Sequence, residues 1–92
     1  MNFERLYEVI KNRREQKPNG SYVSALIDQG QDRVIQKVGE EAIEVVIAAK
    51  NLDKVKLISE STDLIFHVFV LLDMKDISLD EIYLEMKKRN VK

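Results

Sequence analysis

From Leu64 to Leu72 the chain reads Leu-Ile-Phe-His-Val-Phe-Val-Leu-Leu, a run bounded by Asp63 and Asp73 in which only His67 is polar. As a helix this run is apolar around its whole circumference, and such a helix has to be buried on every side. It is far shorter than the about 20 residues that cross a bilayer, so protein must cover it. A chain of 92 residues buries only roughly 60–65% of its unfolded surface. Short helices from one copy can hardly enclose the run. It therefore predicts a homodimer, or a dimer of dimers, with these helices at its centre.

The remainder of the chain is also helical in character. Three glycines, one proline and 34% charged residues favour helix over sheet. Phe3, Leu6, Tyr7 and Ile10 fall at helical spacing, and Pro18-Asn19-Gly20 ends that first helix. Ser21 is placed to cap a short helix carrying Tyr22, Ala25 and Leu26, which Gly30 stops. A long helix follows over about 32–50, with Val34, Val38, Ala42, Val45 and Ala49 on one stripe. Asp53 caps the next, over about 54–75. Ser78-Leu79-Asp80-Glu81 forms a capping box with Ile77 and Ile82 as its staple, opening a last helix whose buried face is Leu79, Ile82, Tyr83 and Met86. The two long helices with a short connection lie antiparallel. The expectation is an all-α antiparallel bundle of four to five helices, one domain over residues 1–92, completed by dimerisation.

Composition narrows the function classes. The chain carries 15 Lys+Arg against 16 Asp+Glu, a formal net charge of −1. That balance argues against a protein built to coat nucleic acid or a membrane surface. With no cysteine there is no disulfide framework, thiolate metal site or Cys nucleophile, which fits a reducing, cytoplasmic setting. The first residues have no apolar core or cleavage pattern, so no signal peptide is expected.

Several acids sit where apolar residues would be expected. Glu40, Glu41 and Glu44 interrupt the most apolar part of the 32–50 helix and share one sector, between the main stripe and a second patch of Ile43 and Ile47. On the next helix Glu60 and Asp63 are spaced i, i+3, and His67 continues the line. Like charges at such spacing destabilise a helix, and pairs facing each other across two packed helices repel more strongly. A hard divalent cation neutralises them. Mg²⁺, with Mn²⁺ possible, takes a few carboxylates and leaves positions for water and phosphate oxygens.

Other metal chemistries fit less well. Di-iron bundles need paired Glu-x-x-His motifs, and this chain has one histidine. No Gly-rich phosphate loop is present. Ser21 and Ser24 lack the His–acid setting of a nucleophile and are read as caps. Oxygen-only ligation points to phosphate chemistry.

The run Gly39-Glu40-Glu41-Ala42-Ile43-Glu44, followed by Glu60-Ser61-Thr62-Asp63, resembles the Glu-x-x-Glu and Glu-x-x-Asp signature of the all-α nucleoside triphosphate pyrophosphohydrolase superfamily. Ser21-Tyr22-Val23, Lys37-Val38-Gly39-Glu40-Glu41-Ala42 and Asp63-Leu64-Ile65-Phe66-His67 bring the resemblance closer to its phosphoribosyl-ATP pyrophosphatase family, over nearly the whole chain. Val23, Thr62 and Phe66 depart from the family's usual Thr, Ala and Tyr, and none of these is an acid of the cluster. The resemblance implies Mg²⁺-dependent hydrolysis of phosphoribosyl-ATP between its α- and β-phosphates, an early step of histidine biosynthesis.

By that resemblance Glu41, Glu44, Glu60 and Asp63 hold the metal, and Glu40 joins them as a catalytic residue by taking a second metal or the water's proton. Arg13, Ser21, Tyr22 and Lys37 are the expected substrate contacts. For each a plainer reading stands beside this one. Lys37 can pair with Glu41 at i, i+4, Ser21 and Tyr22 can be a cap and a core aromatic, and Arg13 with Arg14 and Lys17 can be a solvated basic helix end. Arg89 can serve the substrate or simply its helix C-terminus. His67 is either a packing histidine or a participant in proton transfer or metal binding. Two other functions fit the same features: a house-cleaning pyrophosphatase for (d)NTPs, and a helical dimerisation module in which the acids line a solvated groove.

Overall fold

The structure, a computed structural model, describes residues 1–89. Five helices follow in order: α1 (Phe3–Gln16), α2 (Tyr22–Asp28), α3 (Gln31–Lys50), α4 (Lys54–Met74) and α5 (Leu79–Arg89). Among the described residues there is no strand, so the all-α expectation holds.

Side-chain caps define most of the starts. Asn2 Oδ1 accepts from the Arg5 amide at 2.8 Å, Ser21 Oγ from Ser24 at 3.2 Å, and Asp53 Oδ1 from Lys56 at 3.0 Å. Each satisfies an amide that the first turn of a helix leaves without a partner. Ser78 and Glu81 close the expected box, the Ser78 amide donating to Glu81 Oε2 at 2.8 Å and the Glu81 amide to Ser78 Oγ at 3.2 Å. Gly30 opens α3 at φ 100°, a conformation costly for any residue with a Cβ.

The core gathers Tyr7 and Ile10 of α1, Val23 and Leu26 of α2, Val34 of α3, Phe69 and Val70 of α4, and Leu79. Phe69 is central: Phe3 meets it edge-on at 5.4 Å and Tyr7 at 5.5 Å between ring centroids. Every residue from Leu64 to Leu72 is buried or half-buried within the single chain. α1, α2 and the first half of α3 thus enclose the run more fully than its composition predicts, because α2 packs across the end of the long hairpin. Its burial alone does not demand a second copy.

Much of the exposed apolar surface lies at the other end of the α3–α4 hairpin. Ile43, Val46, Ile47, Leu52, Val55 and Ile58 are all exposed there, Leu52 at 91%. The expected buried face of α5 is likewise only partly covered. Leu79 is buried and Ile82 half-buried, whereas Tyr83 and Met86 are exposed.

Polar contacts fix α1 to the end of α4. Arg14 Nε lies 2.5 Å from Asp73 Oδ2, and Arg14 Nη2 lies 3.6 Å from Asp76. The Tyr7 hydroxyl donates to the Ile77 carbonyl. Burial first, and then the negative charge of Asp73, push the Tyr7 phenol up to about 12.

Candidate metal centre

α3 and α4 bring three of the expected ligands together. Carboxylate oxygens of Glu41, Glu60 and Asp63 lie within 4.8 Å of one another. Glu41 comes from the face of α3 that packs on α4, and its side chain is 13% exposed. Glu60 and Asp63 sit one turn apart on α4, so one rigid helix sets their spacing. Burial raises the Glu60 carboxyl above its usual range, as do the charges of Glu41, Glu44 and Asp63 and a hydrogen bond with Glu41. Such crowding is unfavourable without a counter-charge.

Glu44, the fourth expected ligand, is exposed and stands one turn beyond Glu41. It shares a cleft of about 110 Å³ with Glu60, Asn51, Asp53 and Lys56. Its charge reaches Glu60, but its carboxylate lies outside the group of three. The donor set suits a hard divalent cation: all oxygen, anionic, mutually repelling and held on two packed helices.

Glu40 points to other partners. Gln36 Nε2 donates to it at 3.0 Å, while Arg33 and Lys37 lie 3.5 and 3.8 Å away. Lys37 meets Glu41 more closely, at 3.1 Å. That hydrogen bond raises the Lys37 ammonium above its ordinary range, with smaller support from the Glu41 and Glu40 charges. The pairing with Glu41 is therefore present, and it places a cation beside the carboxylates.

The other expected contacts divide into two places. Tyr22, half exposed, is no core aromatic: its hydroxyl lies 2.8 Å from His67 Nε2. Ser21 is buried and caps α2. With Arg13, Asn12, Gln16, Pro18, Asn19 and Gly20 it lines a pocket of about 410 Å³ at the α1–α2 turn. Of the basic residues near that turn, Arg14 is committed to Asp73 and Lys17 to Asp28 at 3.0 Å. Arg13 makes no ion pair among the described residues. Arg89 pairs with Glu85 at 3.3 Å.

Sequence reasoning missed the Tyr22–His67 and Arg14–Asp73 pairs. Both join residues 45 or more positions apart, and no local spacing signals such a contact.

Fold and site together define an all-α protein whose helical hairpin carries a carboxylate cluster between its two arms. The sequence profile described as Phosphoribosyl-ATP pyrophosphohydrolase matches residues 3–90, and the chain belongs to that family. It is 55% identical over 87 residues to a phosphoribosyl-ATP pyrophosphatase of Listeria monocytogenes, covering 95% of this chain and 84% of the relative. Its identity to the phosphoribosyl-ATP pyrophosphatase of Bacillus cytotoxicus is 46% over 87 residues, with 95% and 81% covered. A histidine biosynthesis bifunctional protein of Caldanaerobacter subterraneus is 48% identical over 85 residues, 92% of this chain but 42% of that protein.

Proposed function

We propose that this protein hydrolyses phosphoribosyl-ATP at the α–β phosphoanhydride, releasing phosphoribosyl-AMP and pyrophosphate in histidine biosynthesis. The observation that carries the reading is the cluster of Glu41, Glu60 and Asp63 in a chain of this family. Glu41, Glu44, Glu60 and Asp63 hold Mg²⁺, with Mn²⁺ as a substitute of similar ligand preference. When bound, the cation neutralises phosphate charge and favours attack by water.

The chain's own side chains do the rest. Lys37, kept protonated beside Glu41, offers a cation to a phosphate oxygen approaching the cluster. Glu40, tied to Arg33, Gln36 and Lys37, orients that basic group in the resting chain. From beside that basic group it accepts the water's proton. Arg13 and Ser21 line the pocket at the α1–α2 turn and take the distal phosphate of the phosphoribosyl group. Tyr22 contacts the nucleotide from the edge of α2.

The exposed apolar end of the hairpin and the uncovered face of α5 support a homodimer, since a patch of this kind marks a protein interface. A charge-balanced chain without cysteine fits work in the cytoplasm.

Product analysis on phosphoribosyl-ATP with and without Mg²⁺ is the test. Pyrophosphate appearing only with Mg²⁺ is the expected result. Orthophosphate, no cleavage, or faster turnover of free dNTPs overturns the reading.

A further inference from the structure

The chain contains one histidine, and both of its ring nitrogens are engaged. His67 is 5% exposed. Its Nδ1 lies 2.7 Å from the Asp63 carbonyl oxygen and its Nε2 lies 2.8 Å from the Tyr22 hydroxyl. A carbonyl only accepts, so Nδ1 carries the proton. In the neutral ring Nε2 is then the acceptor, and the Tyr22 hydroxyl donates to it.

This bond locks a side chain that is otherwise open to solvent. Tyr22 is the first residue of α2 and is 50% exposed. Its ring packs on Phe66 at 6.1 Å and edge-on against His67 at 5.6 Å. Its hydroxyl partner His67 stands one helical turn beyond Asp63 of the cluster and is held by that residue's carbonyl. An aromatic face is thus fixed at the border of the carboxylates. Fixing a ring in advance removes an ordering cost from binding, and every nucleobase presents a π-face that stacks on such a surface.

We propose that His67 is a positioning residue whose Nδ1–H form, held by the Asp63 carbonyl, sets Tyr22 so that its exposed face stacks on the purine of the substrate. The proposal rests on the phosphoribosyl-ATP reading above and gives the base its contact.

The single histidine makes the first test unambiguous. Nitrogen NMR of the imidazole at pH about 8.5, above the ordinary histidine range, should show the Nδ1–H tautomer, and Tyr22→Phe should keep that tautomer while shifting the Nε2 resonance through loss of its hydrogen-bond donor. Kinetics give the second. Tyr22→Phe and His67→Asn should each raise KM about tenfold, the loss of roughly one hydrogen bond, with the effect on KM rather than kcat. The double variant should be no worse than either single one. His67→Gln, whose side-chain oxygen reaches toward the Nε2 position, should recover most of the loss. Tyr22→Leu, without the flat face, should exceed Tyr22→Phe. An Nε2–H tautomer in the wild type, or an unchanged KM in Tyr22→Leu, overturns the proposal. Titration with ATP followed at the His67 ring separates the two readings. No pyrophosphate release but a clear ATP shift at His67 overturns the reaction alone, whereas turnover without any such shift overturns the stacking.

Discussion

Arg14 and Asp73 stand 59 residues apart in sequence, yet their Nε and Oδ2 atoms meet at 2.5 Å. The two ends of the bond are not equally sheltered. Asp73 is 5% exposed at its side chain and Arg14 27%. Arg14 also has Asp76 at 3.6 Å as a second partner. The carboxylate therefore depends on the guanidinium more than the guanidinium depends on it.

Removing Arg14 should consequently cost more than removing Asp73. Arg14→Ala strands a buried carboxylate and is expected to lose about 3 kcal/mol, the scale for breaking a buried pair. Asp73→Ala leaves a partly hydrated arginine near Asp76, and a loss of about 1–2 kcal/mol is expected. Urea titration of both variants checks the order. Equal losses, or a larger loss for Asp73→Ala, would contradict this account of the pair.

Tyr7 predicts an alkaline limit to stability. Its phenol is pushed up to about 12 from 10.0, so the fold favours the protonated form. For an acid raised on folding, stability is fully present below the unfolded pKa and is lost as pH climbs through the folded one. The wild type should weaken between about pH 10 and 12. Tyr7→Phe should be weaker at neutral pH, having lost the bond to the Ile77 carbonyl, but should lack this part of the alkaline decline. Melting curves of the two proteins across that range decide it.

The carboxylate cluster predicts opposite effects with and without metal. Glu60 is held above its usual range by burial and by Glu41, Glu44 and Asp63. In chelator, Glu60→Gln should melt higher than the wild type. Mg²⁺ should raise the wild-type melting temperature, by about 2.7 kcal/mol of stability at a hundred times its dissociation constant, and should raise that of Glu60→Gln far less. Asp63→Asn and Glu44→Gln should lose hydrolysis with helix content intact. Near wild-type turnover in either variant contradicts the ligand assignment.

The apolar end of the hairpin predicts self-association. Val46 and Val55 are exposed at 57% and 78%, and an Asp at either position should disfavour an apolar interface without disturbing the core. Sedimentation should show the wild type as a dimer or tetramer and Val46→Asp shifted toward the monomer. A wild-type monomer at micromolar concentration excludes the homodimer.

Most of the fold was legible because its determinants are local. Ser21, Asp53 and the Ser78–Glu81 box act within three residues, and the structure finds each in place. The Glu41, Glu60 and Asp63 encounter was legible for a related reason: i, i+3 spacing fixes two of them, and a short hairpin must face the third toward them. Glu40 was not, because sharing a helical sector does not decide which way a long side chain turns when Arg33, Gln36 and Lys37 compete for it. Tyr22 reads equally as core or surface until α2 is docked. The Leu64–Leu72 run does not by itself locate the exposed apolar surface, since composition cannot reveal that α1 and α2 wrap one end of the hairpin and leave the other bare.

That lopsided wrapping gives the molecule a gradient of local stability. Amides near Val34 and Val70, both at 0% exposure, should exchange with solvent only when the whole chain opens. Those around Leu52 have few buried neighbours and should exchange through small, frequent openings. The hairpin end that carries Glu44 and borders the carboxylate cluster is therefore expected to open more readily than the core in an isolated copy. Quieting that motion is work that a partner's surface and a bound cation would share, so each should slow exchange there and each should strengthen the other's hold.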